Sequence, residues 1–177
     1  MKKCVLVVLL MVLGNAGSAQ AAEGLVFSPT FFYRSEETKV GTSVSERTDT
    51  LMDARLGYSL ASGLYLGAIY AMDNRDFGSN EAKRTSYGAT VGYYQGSWAL
   101  FFHYFLSSKN QFGSSDAYEG TGIQFDFGYY FTVGSGFSVG PQLSYKAFTY
   151  TKQGGNTLAD DRRETKVDPA VAFLFSF

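Results

Sequence analysis

Read in steps of two, the chain from about residue 24 onward alternates large apolar side chains with small or polar ones, the signature of strands whose two faces meet different surroundings. Between residues 51 and 60, Met52, Ala54, Leu56, Tyr58 and Leu60 fall on one face, and Leu51, Asp53, Arg55, Gly57 and Ser59 on the other. Residues 64 to 75 set Leu64, Leu66, Ala68, Tyr70 and Met72 against Tyr65, Gly67, Ile69, Ala71, Asp73 and Arg75. Residues 120 to 131 set Thr121, Ile123, Phe125, Phe127, Tyr129 and Phe131 against Gly120, Gly122, Gln124, Asp126, Gly128 and Tyr130. Applied throughout, the alternation predicts eight strands, at about 24–35, 49–61, 64–75, 85–95, 98–108, 119–131, 137–150 and 165–177.

Three connections are short: Ala61-Ser62-Gly63, Gln95-Gly96-Ser97 and Thr132 to Gly136. Four are longer and polar, at about 36–48, 76–84, 109–118 and 151–164. Short and long alternate, which fits an all-β, eight-stranded antiparallel up-and-down transmembrane β-barrel with both termini on the short-turn side. Residues 85 to 108 carry no formal charge and could pass for a membrane helix on hydropathy alone. Gln95-Gly96-Ser97 interrupts that run, and Trp98, Leu100, Phe102, Tyr104 and Leu106 repeat at period two, so two strands and a turn are expected.

Alternation does not say which face is wet, and a soluble barrel would invert the assignment. The apolar face carries Phe27, Phe31, Tyr58, Tyr93, Trp98, Phe102, Phe125, Phe127, Phe137, Tyr145, Phe173 and Phe175. An eight-stranded barrel has an interior only wide enough for side chains to fill or for one small ligand, so that much bulk belongs outside. The opposite face carries Gly57, Gly67, Gly88, Gly92, Gly120, Gly122, Gly128 and Gly140. Glycine weakens a strand in water but makes room inside a narrow lumen. Phe27, Tyr58, Tyr93, Trp98, Phe131, Phe137 and Phe175 gather near the short turns, as one aromatic girdle of a membrane barrel would.

The N-terminus adds the route of export. Lys2 and Lys3, an apolar run from Val5 to Leu13 and the ending Ala19-Gln20-Ala21 form a secretory signal pattern. Cleavage is expected after Ala21, with residues 1–21 removed and 22–177 forming the barrel. The apolar run is too short to span a bilayer comfortably. Its loss takes Lys2 and Lys3 from the 15 basic residues, leaving 13 against 16 acidic ones, a formal charge of −3, and removes the only cysteine, Cys4. No disulfide framework or cysteine metal site is then expected, and no basic patch for nucleic acid. A 17% aromatic share argues against disorder.

The signal pattern, the eight alternating strands and the ending Phe173-Leu174-Phe175-Ser176-Phe177 resemble the small outer-membrane barrels of the OmpA and OmpX type. The resemblance covers the mature chain as architecture. It implies a bacterial outer-membrane location among outer-membrane lipid and lipopolysaccharide, and a monomer. It also implies an assembly signal at Phe173, Phe175 and Phe177, read by the outer-membrane assembly machinery.

On the small face the alternation places Arg34, Asp53, Arg55, Asp73, Arg75, His103, Asp126, Lys146, Lys166 and Asp168. Charges in so confined a space must be paired, because one unpaired ion costs several kcal/mol. Counted from the short turns, Arg55, His103 and Asp126 come to similar heights, so an ion-paired plug at mid-lumen is expected. His103 invites comparison with lipid A-modifying barrels, which need a histidine, a hydroxyl and an acid within reach. Ser107 stands four residues above it, roughly 13 Å along the strand, too far for a dyad. One histidine excludes the usual zinc sets, and no cofactor is expected. Asp160, Asp161, Arg162 and Arg163 read as a solvated loop tip, with a divalent-cation or lipopolysaccharide contact as the sharper alternative. The leading functional expectation is a non-enzymatic envelope barrel with a structural or surface-presentation role. A narrow channel for small solutes or ions comes second and a lipid A-modifying enzyme third.

Overall fold

A computed structural model of the chain describes residues 23–40, 43–78 and 80–177, with side chains described outside 38–46. The expected signal segment lies outside the described residues. Nine strands form: β1 Gly24–Val40, β2 Ser43–Ser59, β3 Leu64–Asp76, β4 Glu81–Gln95, β5 Trp98–Phe112, β6 Tyr118–Tyr129, β7 Phe131–Gly134, β8 Phe137–Gln153 and β9 Asn156–Ser176. All neighbours are antiparallel, in the order β6-β5-β4-β3-β2-β1-β9-β8-β7, and β6 also pairs with β8, which closes the ring. The wall is therefore eight strands thick around its circumference, with β7 a short continuation of β6.

Proline accounts for that continuation. Ser176 N–H donates to Gly136 C=O at 2.8 Å, so even-numbered residues of β8 turn their backbone groups to β9 and odd-numbered ones, Pro141 included, turn theirs to β6. Pro141 has no N–H to give. The β6–β8 ladder runs down to Gly128 opposite Gln142 and resumes with Phe131 opposite Val139 on β7. Tyr130, in the gap, donates to Ser97 C=O on the other side at 2.7 Å.

The same logic applies where the chain's two ends meet. Phe177 N–H donates to Leu25 C=O at 2.9 Å, so the odd-numbered residues of both β1 and β9 face this seam. Pro29 and Pro169 are odd-numbered, and each withholds a donor from it. The β1–β9 ladder accordingly forms in two short runs, Val26 and Phe27 against Ser176 and Phe175, then Thr30 and Phe31 against Ala172 and Val171. Every other wall contact is a long ladder; β1 and β2, for example, pair from Gly24 opposite Ser59 to Val40 opposite Ser43.

The four long connections contain far less loop than their polarity suggests. The expected loop 151–164 is a tight turn at Gly154 and Gly155, with φ of 57° and 83°, and β8 and β9 stay paired up to Gln153 opposite Asn156. Likewise β5 extends to Phe112 and β6 begins at Tyr118. A membrane crossing takes about 9–11 tilted residues, so these strands run on beyond the apolar band. There both faces meet water and apolar alternation is no longer required.

The faces are inverted relative to a soluble protein. Leu56, Tyr58, Leu66, Trp98, Leu100, Leu106, Phe125 and Leu143 are exposed on the outside, whereas Asp53, Arg55, His103, Gln124, Asp126, Ser144 and Lys146 are buried within. Near the short turns, Trp98 packs on Phe127 at 5.1 Å and Tyr129 at 4.5 Å, and Phe137 stacks on Phe175 at 4.9 Å, forming an aromatic belt. Inside, glycine makes room for rings from the adjoining strand. A Cβ added at Gly92 would stand 2.2 Å from the Phe101 ring, and one at Gly122 would stand 2.4 Å from that of Phe148.

Candidate functional site: the polar column of the lumen

The lower centre of the column is Arg55, fully buried on β2. Its guanidinium donates to Asp126 at 3.1 Å, Ser28 at 2.9 Å, Thr30 at 3.1 Å and Gln142 at 2.9 Å, and lies 4.4 Å from the centroid of the Phe101 ring. These partners sit on β6, β1, β8 and β5, so one side chain ties together five strands around the lumen. A planar fork with five donors suits this geometry as a lysine would not. The Tyr130 hydroxyl, placed by the Pro141 break, donates to Gln142 at 3.1 Å.

Asp126 also takes His103 Nε2 at 3.0 Å, while His103 Nδ1 lies 2.7 Å from the Thr90 hydroxyl. A proton on Nε2 satisfies both contacts, donated to the carboxylate while Nδ1 accepts from threonine. Thr90, His103 and Asp126 thus have the connectivity of a hydroxyl–imidazole–carboxylate relay, a hydroxyl partner that sequence spacing did not reveal. All three side chains are buried in the column, Thr90 at 4% exposure and His103 at 0%. The hydroxyl points into packed side chains and not into a cleft.

Above this level, Gln124 bridges Asp126 at 2.8 Å to Asp53 at 3.0 Å, and Lys146 holds both Asp53 oxygens at 3.1 Å. Lys146 continues to Asp73 at 3.6 Å, and Asp73 is shared with Lys166 at 2.6 Å and with Arg84. Lys166 pairs with Asp168 at 3.1 Å. Glu164 crosses from β9 to Arg84 at 3.2 Å, to Asn110 at 3.2 Å and to Arg75. Arg84 lies 3.9 Å from the Phe148 ring centroid. A void lined by Asp73, Arg75, Ala82, Arg84 and Asn110 measures only about 10 Å³, room for one water.

Nine of the ten sequence-derived lumen residues therefore meet in one connected network. Arg34 stands apart at the mouth, against Asp49 and, at 3.6 Å, Glu36. Sequence reasoning missed Arg84 and Glu164, which lay in stretches read as loop, and the neutral partners Thr90 and Gln142, and it placed Gln124 and Tyr130 on the inner face without assigning them a partner. Among the described residues no group of three or more histidine, cysteine or acidic side chains is placed to hold a metal. Phe173 and Phe175 are half-buried on the outer face and Phe177 is exposed.

Neither a protein-family model nor a curated protein matches the sequence. Among solved structures, the fold is similar to Neisserial surface protein A (NspA), with 16% identity, a TM-score of 0.52, and 89% of this chain and 99% of that chain covered. Lesser likenesses are to the outer membrane protein OprG from Pseudomonas aeruginosa, at 11% identity and TM-score 0.46 over 89% and 97% of the two chains. The outer membrane protein AlkL, in DMPC bilayers, gives 14% identity and TM-score 0.42 over 92% of each chain. Inverted faces, a closed ring and a polar lumen define an eight-stranded transmembrane β-barrel. The chain has the architecture of the small outer-membrane barrels, of the OmpA and OmpX type.

Proposed function

We propose that this protein is a non-enzymatic barrel of the bacterial outer membrane, inserted after cleavage of residues 1–21, that stabilises the envelope or presents its four external hairpins, and that its lumen does not conduct. The observation carrying this reading is Arg55 with its partners on β1, β5, β6 and β8, a contact set that spans the interior. Burying so many ions is tolerable only because each has its counter-ion, and any opening would strand one of them. The sealed Thr90–His103–Asp126 relay supports a structural role for the histidine, since a catalytic hydroxyl must be reachable by substrate.

The test joins three measurements on cells and purified protein. Fractionation should place the protein in the outer membrane, with heat-modifiable migration on a gel. Planar bilayers should show no steady conductance for the wild type. Lipid A should have the same mass spectrum with and without the protein. Discrete wild-type channels would replace this reading with a narrow pore, and a protein-dependent lipid A mass shift would replace it with an enzyme.

A further inference from the structure

The cations of this barrel fall into two populations. Inside, Arg55, Arg75, Arg84, Lys146 and Lys166 each face a carboxylate. Outside, Lys83 on β4, Lys152 on β8 and Arg163 on β9 are exposed and make no ion pair among the described residues. Lys109 on β5, 62% exposed, belongs to the same layer and pairs with Glu119 on β6 at 2.9 Å.

Register makes these residues neighbours on one stretch of the outer face. Lys109 stands opposite Glu119, and Glu119 opposite Lys152, on three successive strands. At about 4.8 Å between strands, Lys109 and Lys152 lie about 10 Å apart with the carboxylate between them. Lys83 pairs with Gln111, two residues beyond Lys109, and Arg163 pairs with Thr149, just below Lys152. On β4 and β5 the upper edge of the apolar band is marked by Tyr87, Tyr104 and Leu106, exposed at 54%, 45% and 61%. Among the other exposed acids, Glu81 lies two residues beyond Lys83 with Asp76 opposite it, and Asp160 and Asp161 lie two to three residues beyond Arg163. Arg162 turns the other way, with its guanidinium 4.8 Å from the Phe112 ring and 4.5 Å from that of Tyr118.

We propose that the outer face of β4, β5, β6, β8 and β9, just above the apolar band, binds the phosphate groups of an outer-leaflet glycolipid through Lys83, Lys152 and Arg163. This rests on the outer-membrane reading above. The three cations donate charge-assisted hydrogen bonds to phosphate oxygens, and their long alkyl stems let the charged heads reach the headgroup layer from the edge of the band. Lys109 and Glu119, already paired, set the spacing between them. Cations placed this close to an anionic membrane surface act over less than a Debye length, so each one counts.

The test folds the protein into a zwitterionic detergent and titrates it with phosphorylated lipid A, with lipid A stripped of its phosphates, and with inorganic phosphate, counting bound lipid by native mass spectrometry. Wild type should prefer the phosphorylated lipid by about tenfold or more, with the preference shrinking as salt rises. The K83Q/K152Q/R163Q variant should lose the preference while keeping heat-modifiable migration, and K83R/K152R/R163K should keep it. A triple glutamine variant with wild-type preference, or a wild type without one, overturns the proposal. Equal competition by inorganic phosphate at the same concentration overturns the assignment to a lipid. A chain that forms no heat-modifiable barrel in any lipid overturns this proposal and the membrane reading together, whereas a well-folded barrel indifferent to phosphate overturns this one alone.

Discussion

Arg55 reaches from β2 across the lumen to Asp126 on β6, 3.1 Å away, with both side chains 1% exposed. Asp126→Ala leaves a buried guanidinium and the His103 ring without their shared acceptor. Removing one partner of a buried pair costs about 3–5 kcal/mol, so urea unfolding in vesicles should shift by an amount of that order. The R55M/D126L double variant should lose less than the Asp126 variant alone, because no unmatched charge remains. Equal losses would mean that the pair is incidental.

The upper tier gives a different outcome. Glu164→Ala removes the counter-ion of the part-exposed Arg75 and leaves Arg84 its pairing with Asp73, and it does not touch the Arg55 level. Destabilisation should be smaller than for Asp126→Ala, and planar bilayers should remain silent. Conductance in the Glu164 variant would show that the upper tier is what seals the lumen.

Glycine at position 92 is a matter of space. The Phe101 ring lies where its Cβ would stand, 2.2 Å away, and the Leu100 carbonyl is 2.8 Å off. Gly92→Val should overpack the lumen and cost about 1–3 kcal/mol, read as a lower midpoint in heat-modifiable migration. Gly96→Ala is the control: its site is open, with nothing within 4 Å of an added Cβ, and its φ of 61° adds only turn strain. It should be the milder change.

Much of this could be read from the chain, and the failures share one cause. Period-two alternation located the strands, because inside the bilayer each position must be either apolar or enclosed; the bulk on one face and the glycines on the other said which is wet, and counting from the short turns put Arg55, His103 and Asp126 at one height. Beyond the band that constraint lapses. Arg84 and Glu164 were lost in stretches whose polarity looked like loop, although both lie on paired strands. Thr90 and Gln142 were missed, and Gln124 was placed inward without a partner, for another reason: a neutral side chain carries no charge that demands a partner. Pro141 did carry its signal. A proline within a strand implies a missing ladder bond, and the break between β6 and β7 lies opposite it.

Hydrogen exchange should register the missing donors at the seam. Backbone amides of Tyr33 and Val167, which face the β1–β9 seam beyond its last registered pair, Phe31 and Val171, should exchange faster than those of Met52 and Met72, which stand opposite each other in the continuous β2–β3 ladder. Pro169→Val supplies an N–H facing β1 and should slow exchange at Tyr33. Uniform protection around the wall would show that the prolines leave the seam as firm as the rest.

The cylinder thus has a clasp. Its first and last strands are fastened by two short runs of pairing, while every other neighbour is joined along most of its length. When the wall is strained, it parts most readily at the line where the chain's two ends were brought together. The remaining strands stay joined as one continuous curved sheet, so the barrel can be unfastened without being dismantled.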